Sequence, residues 1–105
     1  MVIIETPIFT KRIVDVLSDD EYSELQWTLI SNPEAGWVIP RGRGLRKLRW
    51  AIEGKGKSGG LRVIYYYVMQ DQRIYLIFPY KKSEQEDLTN VQLKKLINYV
   101  KEGVL

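Results

Sequence analysis

The chain has 105 residues, 45% of them hydrophobic and 28% charged, so it can bury one core, and we predict a single domain over residues 1–105. It contains neither cysteine nor histidine, which excludes disulfides, thiolate nucleophiles, imidazole chemistry and the usual zinc ligands, and we expect no metal and no cofactor. The net charge is +3, and the sequence lacks a leader-like start and an apolar run long enough to span a bilayer. We therefore expect a cytoplasmic protein with no membrane partner.

The first part of the chain carries signals for one strand and two helices. The β-branched segment Val2–Glu5 predicts a strand, and a helical pattern opens at Pro7, a residue that the first turn of a helix tolerates. A capping box that begins at Ser18 predicts the start of a second helix. Pro33 is expected to end that helix, and the stretch from there to Gly44, rich in glycine and proline, predicts a loop.

Alternating patterns then predict a three-stranded antiparallel meander. In residues 47–52, apolar side chains alternate with a face that is mostly basic. Leu61–Met69 is apolar or aromatic on both faces, which is typical of a central strand. Ile74–Phe78 follows after a tight connection, and we expect Pro79 to end this strand.

The last element predicted from the sequence is an amphipathic helix. A capping box begins at Thr89, apolar residues recur at helical spacing after it, and Gly103 marks the end. The predicted order is thus β-α-α-β-β-β-α. We expect an α+β domain in which the antiparallel meander sheet carries the helices on one face and leaves the other face for function.

Positive charge is concentrated in the middle of the sequence. Residues 41–82 hold eleven Lys and Arg against Glu53 and Asp71, a balance of +9, whereas residues 1–40 carry −5 and residues 83–105 carry −1. Lysine and arginine gain free energy by displacing counterions from phosphates, so this block favours a polyanionic partner. The alternative is a solvated basic face of the sheet.

The cations fall at three places and on the central strand. Arg62 alternates with apolar or aromatic residues in that strand, so its guanidinium needs a phosphate or a carboxylate partner, and the carboxylate could be Glu53 or Asp87. The glycine-rich segment 54–60 lacks the spacing of a phosphate-binding loop and leads into a strand. The other cations that we predict to act on RNA lie at three places. They are Arg46, Lys47 and Arg49 in the strand before the glycine-rich segment, Lys55 and Lys57 within that segment, and Lys81 and Lys82 at the end of the last strand.

Aromatic residues share the basic segment, and bases of single-stranded RNA commonly stack on such rings. We expect Tyr65 and Tyr67 to belong to the core, and Tyr66 and Tyr80 to contact a ligand. The three tryptophans are interpreted as packing residues or partner contacts: Trp27, Trp37 and Trp50.

Four segments, in this order, resemble the RelE/ParE toxin superfamily, and its HigB-like branch most closely. The most specific is the strand in which a glycine, an arginine, two apolar residues and a tyrosine follow one another closely. The resemblance covers nearly the whole chain. The segments are Gly44-Leu45-Arg46-Lys47-Leu48-Arg49, Gly54-Lys55-Gly56-Lys57, Gly59-Gly60-Leu61-Arg62-Val63-Ile64-Tyr65-Tyr66 and Tyr80-Lys81-Lys82-Ser83-Glu84.

The resemblance implies a RelE-like fold and a toxin of a type II toxin–antitoxin system. In the nuclease branch, the toxin enters the ribosomal A site and cleaves mRNA without a metal, with the ribose 2′-OH as nucleophile. It implies that Arg62 stabilises the scissile phosphate, that Lys82 helps to protonate the leaving 5′-oxygen, and that Lys55 and Lys57 match basic residues of the preceding loop. The implied partners are a cognate antitoxin, mRNA and the ribosome with its 16S rRNA.

The general base is not assigned by the resemblance. Some family nucleases carry a tyrosine where this chain has Leu88, and others use a His/Glu pair that a chain without histidine cannot form. Our hypothesis is that Lys57, ahead of Lys55, activates the 2′-OH, because neighbouring cations disfavour the ammonium form. Arg62 and Lys82 would then stabilise the pentavalent phosphate electrostatically.

Two other functions remain open from the sequence. ParE-type members of the superfamily inhibit DNA gyrase and do not need the cation cluster around Arg62. A non-catalytic nucleic-acid-binding module would show salt-dependent affinity without cleavage. Cleavage mapping, a gyrase supercoiling assay and a growth curve on expression distinguish the three.

Overall fold

The computed structural model describes residues 1–52 and 60–104, which form five strands and three helices in the order β-α-α-β-β-β-β-α. The first half contains β1 (Val2–Glu5), α1 (Pro7–Ile13) and α2 (Asp19–Ser31). The second half contains β2 (Trp37–Val38), β3 (Arg46–Trp50), β4 (Leu61–Val68), β5 (Arg73–Lys81) and α3 (Asn90–Gly103). The predicted α+β class is confirmed, and β2 is an additional short strand inside the predicted loop.

The helix starts follow from side chains that satisfy free backbone amides. Ser18 and Thr89 each form a complete capping box, with Glu21 and Gln92 respectively. The buried Thr6 caps α1 by accepting a hydrogen bond from the Phe9 amide at 3.1 Å. The two capping boxes predicted from the sequence are therefore confirmed.

The strands form one mixed sheet in the order β1-β5-β4-β3-β2. The predicted antiparallel meander is confirmed as β3–β4–β5, and β2 extends it in antiparallel fashion. The first strand, β1, pairs with β5 in parallel. The prediction of the meander did not place β1, and its parallel pairing makes the sheet mixed at this edge.

Two apolar clusters cover the two faces of the sheet. The first contains Phe9 and Leu25, from α1 and α2, packed with Val63 of β4. The second contains Val100 of α3 packed with Ile64 of β4. The expectation that all helices share one face is therefore wrong. Because β4 is apolar on both faces, both faces need cover, and α3 covers part of the face opposite α1 and α2.

The strand β5 runs further than the sequence predicts. Pro79 lies inside it, buried and paired with Val63, and the strand continues to Lys81. Among the residues that the structure describes, β1 accompanies β5 only as far as Leu76. Since Pro79 lies beyond that pairing, its missing amide costs the sheet no hydrogen bond to β1.

A bulge in β5 links the sheet to the first helix. Tyr65 pairs with Leu76 and Ile64 with Phe78, which leaves Ile77 as the extra residue. The carbonyl of Ile77 accepts a hydrogen bond of 2.7 Å from the hydroxyl of Thr6. One buried threonine thus fixes both the start of α1 and the bulge.

No helix in the described part of the chain is long and apolar enough to cross a membrane.

Candidate functional site

A row of functional side chains crosses the three strands of the meander. Arg49 of β3 pairs with Arg62 of β4, and Arg62 pairs with Tyr80 of β5. Directly paired residues point to the same side of a sheet. Because Ile64 and Tyr80 pack in the cluster with α3, the row lies on the α3 face.

Three cations from this region line one cleft. The cleft has a volume of about 280 Å³, and the cations among its described lining residues are Arg49, Arg62 and Lys82. Trp50, Ala51 and Gly60 also line it. The amide of Lys82 donates a hydrogen bond of 2.9 Å to the carbonyl of Gly60, which fixes the end of β5 beside the start of β4. Residues distant in sequence therefore converge on one concave, cationic site.

Arg62 is the most constrained of the three cations. Its side chain is buried, with 8% exposure, and it donates a hydrogen bond of 3.3 Å to the carbonyl of Leu61. Within residues 1–52 and 60–104, no carboxylate lies within ion-pair distance of it. No fully buried side-chain polar atom in this part of the chain lacks a partner, so the remaining N–H groups of Arg62 are accessible. Arg62 lines the cleft, where its free N–H groups are suited to bind an anion.

Asp87 and Glu53 are the two carboxylates that the sequence offered as partners for Arg62. Asp87 pairs instead with Lys47, at 3.3 Å, and accepts a hydrogen bond of 3.4 Å from the hydroxyl of Tyr80. Glu53 lies outside the described residues. Asp87 therefore belongs to a Lys47–Asp87–Tyr80 group and does not provide the alternative carboxylate partner for Arg62.

A second cleft of about 300 Å³ adjoins the first. Lys47, Arg49 and Asp87 line it together with residues 37–40. Arg49 lines both clefts, so the two form one continuous surface along the open part of the α3 face. We call this surface the cationic face and define it by Lys47, Arg49, Arg62 and Lys82.

The ionisation of Tyr80 and Asp87 follows from this arrangement. Burial and the charge of Asp87 raise the pKa of the Tyr80 phenol to about 12, although the charges of Arg62 and Arg49 oppose this. Burial acts to raise the pKa of the Asp87 carboxyl, but hydrogen bonds from the Leu88 amide and from Lys47 outweigh it, and the pKa is lowered. At neutral pH, Tyr80 is therefore a neutral donor and Asp87 an anion.

A comparison with known families bears on this arrangement. The model of the RelE toxin of the RelE/RelB toxin–antitoxin system matches residues 15–103. The matched part runs from before α2 to the last residue of α3 and includes every residue of the cationic face. The chain belongs to the RelE toxin family. The resemblance inferred from the sequence is confirmed at this level, and the α+β arrangement described above is consistent with a RelE-like fold.

Family membership makes this RelE-family protein a toxin of a toxin–antitoxin system, with a cognate antitoxin as its partner. The matched part contains all ten residues that the sequence singled out as catalytic or RNA-binding. Their individual roles stay predictions. The assignment to the HigB-like branch also stays a prediction.

Four of the predicted site residues of this chain lie away from the cationic face or outside the described residues. Arg46 pairs with Tyr65 and Lys81 with Leu61, and both partners pack in the cluster with α1 and α2, so these two cations are on the opposite side of the sheet. The predictions for Lys55 and Lys57 concern residues outside the described ranges.

The two predicted ligand-contacting tyrosines have buried or packed rings. Tyr80 is 1% exposed, so its ring belongs to the core and its hydroxyl binds Asp87. Tyr66 shares the face of Arg62 but lies four residues further along β4, about 13 Å at the usual strand rise, and packs with the α3 cluster. The structure brings neither ring to the cleft surface. Trp50 packs against the cluster with α1 and α2, as interpreted, and also lines the first cleft. Trp37 is exposed and lines the second cleft.

Proposed function

We propose that this toxin is a ribosome-dependent endoribonuclease that cleaves mRNA in the A site without a metal, by attack of the ribose 2′-OH. The observation that carries the proposal is the burial of Arg62 at a cationic cleft without a carboxylate partner among the described residues. Arg62 is only 8% exposed, lines a cleft with Arg49 and Lys82, and has no carboxylate partner in the described chain. Such a buried cation is stabilised by an anion, and a phosphodiester fits the cleft and its charge.

In the proposed reaction, the 2′-oxygen forms a bond to the adjacent phosphorus and the bond from phosphorus to the 5′-oxygen breaks. The products are a 2′,3′-cyclic phosphate and a 5′-hydroxyl. Arg62, Arg49 and Lys82 stabilise the additional negative charge of the pentavalent phosphate, since fixed cations in a partly desolvated cleft act strongly on charge that develops there. Lys82 also donates a proton to the leaving 5′-oxygen.

The base that accepts the 2′-OH proton is assigned to Lys57 as a prediction from the sequence. Tyr80 is not suited to that role, because a phenol with a pKa of about 12 stays protonated at neutral pH. Its role is to hold Asp87, which in turn holds Lys47 beside the cleft. Tyr80 is therefore a positioning residue in this proposal.

The partners that follow from the proposal are mRNA and the ribosome, including its 16S rRNA, and the site of action is the cytoplasm. A gyrase-inhibiting toxin has no chemical need for a buried arginine that opens onto an anion-sized cleft. A purely binding module does not need it either, since surface lysines are sufficient for salt-dependent affinity. The cleft therefore favours the nuclease over both alternatives.

The experiment is induction of the toxin in cells without its antitoxin, with mapping of new mRNA 5′ ends by primer extension. We expect Arg62→Ala and Arg62→Gln to lower cleavage by about 10²- to 10³-fold, the loss typical of removing one group that stabilises transition-state charge. The control is Arg73→Ala, which removes one exposed charge from β5 opposite Val68, at the far end of the same strand pair.

Arg73→Ala is expected to cleave like the wild type. Cleavage by the Arg62 variants at the wild-type rate would contradict the proposal, provided that circular dichroism shows them folded. Growth arrest without new mRNA ends, together with inhibition of gyrase supercoiling in vitro, would support the gyrase alternative instead.

A further inference from the structure

Trp37 is an exposed aromatic residue at the edge of the cationic face. Its side chain is 75% exposed. It pairs with Lys47 across β2 and β3, and Lys47 pairs with Ile64 of the α3 cluster, so all three lie on the same side of the sheet. The ring lines the cleft that Lys47 and Arg49 also line. A flat indole is thus placed beside the cations that we assign to a phosphate backbone.

The backbone immediately before Trp37 is held by buried or partly buried hydrogen bonds. The Gly36 amide donates to the Tyr65 hydroxyl at 2.8 Å, and that hydroxyl donates to the Pro33 carbonyl at 2.7 Å. The Gly36 carbonyl accepts a bond of 2.8 Å from the Arg46 guanidinium. A Cβ at position 36 would lie 2.7 Å from the Tyr65 ring, so glycine is required for this close contact.

This arrangement gives Arg46 a structural role, whereas the sequence predicted that Arg46 contacts RNA. Its guanidinium binds Gly36 and pairs with Glu34 at 3.4 Å on the other side of the sheet from Arg62. Arg46 is thus a positioning residue for the segment that carries Trp37. Fixing the backbone before binding lowers the entropy lost when the indole contacts a ligand.

We infer that Trp37 is a stacking platform for an unpaired RNA base next to the phosphate bound by Arg62. The inference rests on the proposed function, because it places the base relative to the phosphate cleft. Trp37 is two strands from Arg62 and two residues along β3 from the Arg49–Arg62 pair, a separation of about 12 Å between Cα positions at standard strand spacing and rise. Every base offers a π-face, and stacking on an aromatic side chain binds single strands without a fixed sequence.

Charge and geometry indicate a single-stranded nucleic acid as the ligand of Trp37. An exposed tryptophan alone would also fit a protein partner. Here the ring borders a surface whose cations are Lys47 and Arg49, and these continue into the Arg62 cleft. A single-stranded nucleic acid offers both a phosphate for the cations and a base for the indole, so one ligand accounts for both parts of the surface.

The test measures binding of a short single-stranded RNA to the purified full-length toxin. The RNA carries 2′-fluoro groups, which remove the nucleophile so that binding is measured without cleavage. We expect Trp37→Ala to weaken binding by about 5- to 100-fold, the range for loss of one stacked base, and Trp37→Phe to retain most of the affinity. The matched control is Trp27→Ala, since Trp27 is 67% exposed but lies on α2, across the sheet.

The RNA provides a second control. A set of oligonucleotides is prepared, each with one abasic position. We expect one of them to bind the wild-type toxin more weakly than the intact RNA does. For that oligonucleotide, Trp37→Ala should lower the affinity little further. That coupling is specific to stacking, because a merely structural role of Trp37 would weaken every oligonucleotide by the same factor.

The outcomes separate this inference from the proposed function. Equal binding by wild type and Trp37→Ala, or no RNA binding by the wild type, would overturn the inference. Equal RNA binding with a weakened antitoxin complex would overturn it too and assign Trp37 to the antitoxin interface. If the Arg62 variants lose cleavage while Trp37→Ala binds normally, the proposed nuclease stands and the stacking platform fails. If Trp37→Ala weakens RNA binding while induction of the wild-type toxin produces no new mRNA 5′ ends, the platform stands and the nuclease fails.

Discussion

Neighbouring residues at the end of β5 have different surroundings because a strand alternates its side chains. Lys82 lines the cleft with Arg49 and Arg62, whereas Lys81 pairs with Leu61, whose side chain packs with α1 and α2. The sequence predicted a role for both lysines in RNA binding or catalysis, since charge and spacing do not reveal on which side of the sheet each one lies. The pairing of Lys81 with Leu61 and the position of Lys82 in the cleft distinguish them.

Lys82→Ala and Lys81→Ala remove the same charge one residue apart. We expect Lys82→Ala to lower the rate of mRNA cleavage by about 10²-fold, because it removes one group that stabilises charge in the transition state. We expect Lys81→Ala to stay within about 3-fold of the wild type, which is the effect of an outlying surface charge on association. Single-turnover cleavage of ribosome-bound mRNA measures both. Equal losses for the two variants would show that the assignment of the two faces is wrong.

At the scale of elements, the sequence predicted most of what local rules control. Both capping boxes, the central strand β4 and the antiparallel meander are confirmed, because each depends on neighbours in sequence or on alternation. The parallel pairing of β1 with β5, the position of α3 across the sheet from α1 and the continuation of β5 past Pro79 were not predicted. They depend on which elements meet in space, and single-chain patterns do not encode that.

The link between α1 and the β5 bulge gives a prediction about stability. Thr6→Val keeps the shape of the side chain but removes the hydroxyl that binds the Phe9 amide and the Ile77 carbonyl. We expect a loss of about 1–3 kcal/mol in the free energy of unfolding, measured by urea denaturation, because both buried backbone groups lose their partner.

The control for this variant is Thr28→Val. The Thr28 hydroxyl is exposed and binds a carbonyl of its own helix, that of Glu24, so the change should stay within about 0.5 kcal/mol. Equal stability of Thr6→Val and Thr28→Val would contradict the role given to Thr6.

For the whole molecule, buried tyrosines predict a loss of stability at alkaline pH. Burial and the charge of Asp87 raise the pKa of Tyr80 to about 12. Burial also raises the pKa of Tyr22, with a contribution from Glu5, and the pKa of Tyr65. In an unfolded chain the phenol has a pKa of about 10. The protonated phenols therefore favour the folded state fully below about pH 10, and this contribution is lost as the pH rises through the folded-state values.

Urea denaturation between about pH 9 and 11 measures this effect. We expect the free energy of unfolding to fall over that interval, and to fall less steeply in Tyr80→Phe, which has no phenol to ionise at this position. A free energy of unfolding that is independent of pH in this range would contradict the assignment of these side chains to the interior.

The central claim, that the cleft around Arg62 directs attack by the 2′-OH of mRNA, is tested most directly on programmed ribosomes with purified toxin. Two mRNAs are compared, one all-ribose and one with a single 2′-deoxy sugar at the mapped cleavage position, each with wild-type and Arg62→Gln toxin. We predict that wild-type toxin cleaves the all-ribose mRNA to a 2′,3′-cyclic phosphate and a 5′-hydroxyl, leaves the deoxy-substituted mRNA intact, and is about 10²- to 10³-fold faster than Arg62→Gln. Cleavage of the deoxy-substituted mRNA at that position, or equal rates for the two toxins, would contradict the claim.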